Sequence, residues 1–361
     1  MNMQYEEGYL IDRRYLLERF IGSGSFGEVW VALDKETDLQ VAVKIYVAMD
    51  EKGFDEFKKE FQLSFELNHS NLLHANYLGV NADDRRPYLV MPYCPDGSVS
   101  KYAGNMKEED IWRFIRDVAA GLAYLHSQKP PIIHQDIKPD NILILKNGDY
   151  VISDFGISKQ LRKSVLNSGQ SFDSAGAISY MGPERFSKQF KAIKASDIWS
   201  LGAAVYELVT GDVPFCGMGG SLQKKGADMP ELPEGYSETL SMVFSSCLAL
   251  ETWNRPTAAQ LRDFAAQVIK GKKPEPTWHI PETVVKETEP EATAEPEPET
   301  VAAEPETVAS EPEASADNIP ADDKPGFAIA TQKKESKPIV WRVAAIGAGL
   351  VAGIILGLII F

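Results

Sequence analysis

Between Tyr15 and Tyr46, apolar, β-branched and aromatic residues run in three stretches broken by turn-forming residues: RYLLERFIGSG, FGEVWVALD and LQVAVKIY. That pattern predicts consecutive strands in a small antiparallel sheet. Phe54, Phe57, Phe61 and Phe65 then recur at helical spacing, which lays one aromatic stripe along a helix with Glu60 beside it. A further strand region ends at MPYCPDG. Beyond it Ile111, Phe114, Ile115, Val118, Leu122 and Leu125 return to the helical period, so a second, mainly helical lobe begins there. The segment SDIWSLGAAVYELV is apolar on nearly every face, as befits a helix buried at the centre of its domain. The chain therefore reads as an α+β protein with a sheet-rich N-lobe, about residues 15–92, and a helical C-lobe, about residues 95–268.

The pattern breaks near Gly271. Residues 272–338 hold eleven prolines, much Glu, Ala and Thr, and the sequence PETV three times, from Pro281, Pro298 and Pro305. Such a stretch buries too little apolar surface to order itself and is expected to be a disordered acidic tether with a span of roughly 45 Å. Val343 to Phe361 carries no charge and, as a helix, spans about 28 Å, which predicts one membrane crossing. Lys333, Lys334, Lys337 and Arg342 precede it, so the positive-inside bias puts the N-terminal side in the cytosol and the C-terminus on the far side. Gly349, Gly353 and Gly357 share one face of that helix, a spacing that permits a homodimer.

Composition narrows the function. The 361 residues are 44% hydrophobic, enough for a sizeable core, and the net charge is −15. Residues 282–325 alone contribute −12, which disfavours nucleic-acid binding. Cys94, Cys216 and Cys247 form no metal-ligand or disulfide spacing, and the start MNMQYEEGYLIDRRY lacks the basic and apolar runs of a signal peptide. A reducing, cytosolic setting is expected for the bulk of the chain.

Candidate chemistry lies in two places. Gly22, Gly24 and Gly27 form GSGSFG, where missing side chains let backbone amides approach anions. EVWVALD continues as strand, so a hairpin over phosphates fits better than a dinucleotide fold, which needs a helix there. In VAVK the period of two puts Ala42 and Lys44 on one face, a base-packing position beside a phosphate-reaching one. Farther on, IHQDIKPDNIL is followed by Asn147-Gly148 and YVISDFG. A two-residue turn there pairs Asn141 with Asp154 and gathers two oxygen ligands suited to Mg²⁺ at one hairpin end. Asp136 and Lys138 enter the same end.

Taken in order, GSGSFGEV, VAVK, Glu60, HQDIKPDN, DFG, GPE at Gly182 to Glu184, SDIWSLG and Arg255 in WNRPT make the chain resemble a eukaryotic-type (Hanks-type) Ser/Thr protein kinase over about 250 residues. The resemblance implies the bilobal protein-kinase fold and transfer of the γ-phosphoryl group of ATP to Ser/Thr hydroxyls of protein substrates, with Mg²⁺ as cofactor and autophosphorylation expected. It implies that Lys44 pairs with Glu60 and holds the α- and β-phosphates, that Asn141 and Asp154 bind the metal, and that Asp136 acts as base with Lys138 beside the γ-phosphate. It places Ile21, Gly22, Gly24, Gly27, Val29, Ala42, Met91, Pro92, Cys94 and Ser98 around ATP, with Met91 as gatekeeper and Pro92 opening the hinge. It further implies a Glu184–Arg255 pair and a catalytic loop braced by Asp197. Three departures stand out: Gln135 for the usual Arg, Gly182 for Ala, and Ala177 for Thr. With Gln135 uncharged, phosphorylation at Ser164, Ser168, Ser171, Ser174 or Ser179 is expected to order the activation loop weakly, unless Lys159, Arg162 or Lys163 serves as anchor. Rival readings are a nucleotide-binding pseudokinase scaffold, a small-molecule kinase on the same fold, and a membrane-bound docking protein acting through its PETV repeats.

Overall fold

The computed structural model describes residues 5–24, 27–154, 178–187 and 193–280. The N-lobe is a six-stranded antiparallel sheet of β1 (Leu10–Ile11), β2 (Tyr15–Gly24), β3 (Gly27–Asp34), β4 (Leu39–Tyr46), β5 (Tyr77–Val80) and β6 (Pro87–Pro92), in the order β1-β2-β3-β4-β6-β5. Period-two alternation sorts β4 as expected. Val43 and Ile45 join Ile11, Tyr15, Leu17, Trp30, Tyr88 and Val90 in one core, whereas Tyr46 packs with Phe57, Phe61 and Leu89 in another. That second core seats α1 (Glu51–Phe65) on the sheet. The aromatic stripe narrows along α1, since Phe57 and Phe61 are buried and Phe65 is half exposed.

The C-lobe is built around α2 (Glu108–Ser127) and α3 (Lys194–Thr210). All six residues that marked the α2 period are buried, and they meet Ile198, Leu201, Val205 and Leu208 of α3. Gly211 ends α3 in the left-handed conformation at φ 83°, which a glycine adopts without side-chain penalty. The remaining described helices are α4 (Gly220–Gln223), α5 (Glu238–Cys247) and α6 (Ala258–Ile269). Thr257 and Gln260 start α6 with a capping box. Packing continues past the break expected at Gly271: Trp278 lies edge-on to Phe264 with ring centroids 5.2 Å apart, and Gln260 donates to the Thr277 carbonyl at 2.9 Å. Among the described residues no helix is long and apolar enough to cross a membrane, and residues 343–361, where the crossing is expected, lie outside them. The PETV repeats and the glycine face at 349–357 lie outside them too.

The hairpin of β7 (Ile142–Ile144) and β8 (Tyr150–Ile152) corrects the expected register. Ile142 faces Ile152 and Leu143 faces Val151, and Ser153 N donates to the Asn141 carbonyl at 2.8 Å. Asn141 is therefore opposite Ser153, one residue short of Asp154. The turn holds three residues rather than two. Leu145 N donates to Asp149 O, Gly148 takes the left-handed conformation at φ 82°, and Asn147 turns its side chain onto Asp149 instead of occupying a left-handed turn position.

Candidate active site

The segment from His134 to Asn141 is held from beneath by Asp197, in the first turn of α3 and fully buried. Its carboxylate accepts from the backbone N–H of His134 at 2.9 Å and of Gln135 at 2.8 Å, and it lies 2.8 Å from His126 Nε2. A buried carboxylate is tolerable when charge-assisted bonds satisfy it in this way. His134 is buried too, with Nδ1 accepting from Asp136 N at 3.3 Å and Nε2 donating to Ser153 O at 3.0 Å. At the upper end Asn141 Nδ2 donates to both the carbonyl (2.7 Å) and the carboxylate (2.9 Å) of Asp136. Lys138 Nζ lies 3.8 Å from the same carboxylate. The structure thus brings Asp136, Lys138 and Asn141 into one cluster.

Across from it, Gly22, Val29, Lys44 and Leu89 occupy one row in register over four strands, and Val31, Ala42 and Met91 another. Lys44 forms an ion pair with Asp154, whose backbone is left-handed at φ 58°. Aspartate visits that conformation more readily than most residues. Glu60 lies on α1, but the expected Lys44–Glu60 pairing falls outside the described side chains. Gly27 pairs with Gly24 and has φ 145°; a Cβ there would sit 1.9 Å from the Ile45 carbonyl, so only glycine fits. At Gly22 a Cβ would meet nothing within 4 Å. Ile21 is exposed and Pro92 ends β6 opposite Val41. Cys94 is buried with Leu73 and Val151 against Met91, and burial pushes its thiol pKa up. Ser98 lies beyond the hinge, bridged to Leu143, with its hydroxyl 2.6 Å from that of Ser100.

The donor chemistry fits a hard divalent cation. With the amide nitrogen of Asn141 engaged by Asp136, its oxygen is left to act as a ligand, and Asp154 offers a carboxylate. No three His, Cys, Asp or Glu among the described residues form a metal cage.

The protein kinase domain family matches residues 15–264. The chain belongs to that family. Its relatives include mitogen-activated protein kinase kinase kinase 1b of Physcomitrium patens, 32% identical over 257 residues, and mitogen-activated protein kinase kinase kinase 3 of Arabidopsis thaliana, 33% identical over 255 residues. Each alignment covers 67% of this chain but 32% and 41% of the relative. The mouse mitogen-activated protein kinase kinase kinase 15 is 33% identical over 266 residues, 70% of this chain and 20% of its own length. The chain thus spans well under half the length of these relatives. They place it among the eukaryotic-type Ser/Thr protein kinases, and the sheet lobe and helical lobe fit the bilobal kinase fold.

In this kinase Glu184 and Arg255 meet at 2.9 Å as expected. Burial pushes the Glu184 pKa up, but the hydrogen bond and charge of Arg255 outweigh it and leave it below the ordinary value. The departure at Gly182 has a local reason: a Cβ there would sit 2.8 Å from both Glu184 carboxylate oxygens. Ser179 is corrected as a phosphorylation candidate, because it is buried and its hydroxyl donates to the Gly217 carbonyl at 3.0 Å. Ala177, Lys159, Arg162, Lys163 and the other loop serines lie outside the described residues. Sequence reasoning missed Arg185, whose Nη1 donates to the Gln135 carbonyl at 2.9 Å, and His126 beneath Asp197. Arg185 belongs to no periodic pattern that could have flagged it, whereas His126 continues the buried α2 face four residues after Leu122. It also missed β1 and the clamp ahead of the family match, where Tyr5, Tyr9 and Tyr88 donate to Asp84, Asp83 and Asp12.

Proposed function

We propose that this kinase is an active enzyme that transfers the γ-phosphoryl group of ATP to Ser or Thr of proteins and to itself. The observation that carries the reading is the convergence of Lys138 and Asn141 on the Asp136 carboxylate, opposite a sheet face bearing Lys44. Asp136 orients the substrate hydroxyl and accepts its proton, a task for a carboxylate held at fixed geometry. Lys138, within ion-pair reach of that carboxylate, neutralises charge on the transferring group. Lys44 holds the α- and β-phosphates beneath the Gly22–Gly27 hairpin, with Glu60 as its partner on α1. Ile21, Val29, Ala42 and Met91 enclose the base, and the backbone at Pro92 and Cys94 recognises its edge, with Ser98 at the pocket mouth. Asn141 and Asp154 hold Mg²⁺, which when bound screens phosphate charge.

The same reading tethers the kinase through the uncharged segment 343–361, with the catalytic domain on the cytosolic side of a membrane, a linker over 272–338 and a homodimer through the glycine face. Incubation with radiolabelled Mg-ATP and lysate tests the chemistry. Lys44→Ala, Asp136→Asn and Asp154→Ala should each abolish incorporation, and phosphoserine or phosphothreonine should be the product. Full activity in any of the three, or phosphotyrosine alone, defeats the proposal. A pseudokinase scaffold would bind nucleotide and transfer nothing. Alkaline-carbonate extraction of the full chain would defeat the tether, and Gly353→Leu with unchanged crosslinking would defeat the dimer.

A further inference from the structure

Gln135, the residue before Asp136, sits in the left-handed region at φ 69°, an unfavourable conformation for a side chain of this kind. Something outside the residue must hold it there. Its N–H donates to Asp197 at 2.8 Å, and its carbonyl accepts from Arg185 Nη1 at 2.9 Å. Among the described residues its own amide reaches the Ile133 carbonyl, at 3.4 Å. The peptide joining residues 135 and 136 is thus gripped through its oxygen by a guanidinium, and through its nitrogen by a longer bond to His134 at 3.3 Å. Relaxation of Gln135 toward a right-handed conformation would rotate that peptide and carry the Asp136 side chain with it. Arg185 resists such rotation because its base is fixed. Arg185 N donates to Gly182 O at 3.0 Å, and the adjacent Glu184 is locked by Arg255 at 2.9 Å.

We propose that Arg185 is a positioning residue for phosphotransfer: from the end of the activation segment it holds the strained peptide ahead of Asp136 and so sets the direction of the catalytic carboxylate. The grip is charge-assisted and therefore stronger than a neutral bond, and it falls on the Gln135 carbonyl, one residue ahead of the catalytic carboxylate. A change in the segment around Gly182–Phe186 is transmitted by the same bond to the base. This inference rests on the kinase reading above.

The test has two arms on the full-length protein. Arg185→Met keeps the apolar stem and removes the donors; Arg185→Lys keeps a charged donor. In Arg185→Met, kcat should fall about tenfold, about 1.4 kcal/mol of barrier, with KM for ATP within twofold of wild type. Arg185→Lys should recover most of that loss. In the second arm, amide hydrogen exchange of a peptide covering residues 133–138 should quicken about tenfold in Arg185→Met, while exchange in α2 stays unchanged. Should Arg185→Met fail to fold, Arg185→Gln, with a shorter neutral donor, is read in the same way. Unchanged exchange in the loop overturns the inference, whether or not the wild type is active. So does unchanged kcat in an active enzyme, or a loss of kcat accompanied by raised KM and faster α2 exchange. Absence of transfer by the wild type defeats the kinase reading alone, and the exchange arm still decides the role of Arg185.

Discussion

Replacing Arg255 by methionine should destabilise the protein more than neutralising its partner, Glu184. The Arg255 side chain has no exposure and donates four hydrogen bonds: to Ala249 O at 2.8 Å, Ala195 O at 2.9 Å, Glu184 Oε2 at 2.9 Å and Leu250 O at 3.2 Å. Methionine fills much of the stem and makes none of them. Glu184, with its side chain 18% exposed, is then a largely buried carboxylate without a cation, and breaking such a pair from one side costs about 3–5 kcal/mol. The buried Ala249 also loses the donor to its carbonyl, worth about 1–3 kcal/mol more, whereas the half-exposed Leu250 can turn to water. The loss is about 4–8 kcal/mol, much of the whole stability of an ordinary domain. Glu184→Gln leaves Arg255 its three backbone acceptors and an amide oxygen, and should cost only about 1–3 kcal/mol.

The pH dependence provides an independent check. Glu184 has a depressed pKa in the folded protein, so its stabilisation is fully present above the ordinary glutamate range and is lost as pH falls through the folded value. The deficit of Glu184→Gln should therefore be largest near neutrality and shrink in acid. Urea unfolding of protein ending at Ile280, followed by tryptophan fluorescence from pH 7 downward, measures both. Arg255→Met within about 1 kcal/mol of wild type, a costlier Glu184→Gln, or a deficit independent of pH would refute the reasoning.

Truncation at Gly271 should cost about 1–2 kcal/mol relative to truncation at Ile280, because it removes the Trp278 ring from Phe264 and the Thr277 carbonyl from Gln260; comparative thermal melting reads it. Gly27→Ala forces a Cβ against the Ile45 carbonyl and should raise KM for ATP at least tenfold while leaving the C-lobe exchange pattern intact. Ser179→Ala should lose only the bond to Gly217, about 1 kcal/mol, and mass spectrometry of the autophosphorylated protein should find no phosphate at Ser179.

Much of the scaffold was legible because it rests on local rules. The three strands from Tyr15 to Tyr46, the α2 period and the uniformly apolar α3 each follow from a repeat that one face of one element must bury. The β7–β8 register was not, since Asn147-Gly148 is compatible with a two- or a three-residue loop. What decided it was the choice of Asn147 to cap Asp149 rather than to take φ above zero. The ordering of Trp278 was equally hidden, because a tryptophan amid prolines and charges has no period; the Phe264 ring and the Gln260 bond to Thr277 give it a place.

The two conformations that matter most at the site were the least accessible. Gln135 and Asp154 flank the β7–β8 hairpin in sequence, and both take a positive φ without being glycine. Glycine there would have advertised the turn; Gln and Asp conceal it. A non-glycine residue stays left-handed only when donors or charges from elsewhere over-determine it. For Gln135 those are Asp197 and Arg185, and for Asp154 the described partner is Lys44, from residues 50 to 110 positions away in sequence. Such strain is created by tertiary contacts and cannot be seen in local pattern. It also sorts the residues by consequence: a change at Asp197 or Arg185 should move Asp136 without touching ATP, whereas a change at Lys44 should disturb Asp154 and phosphate binding together.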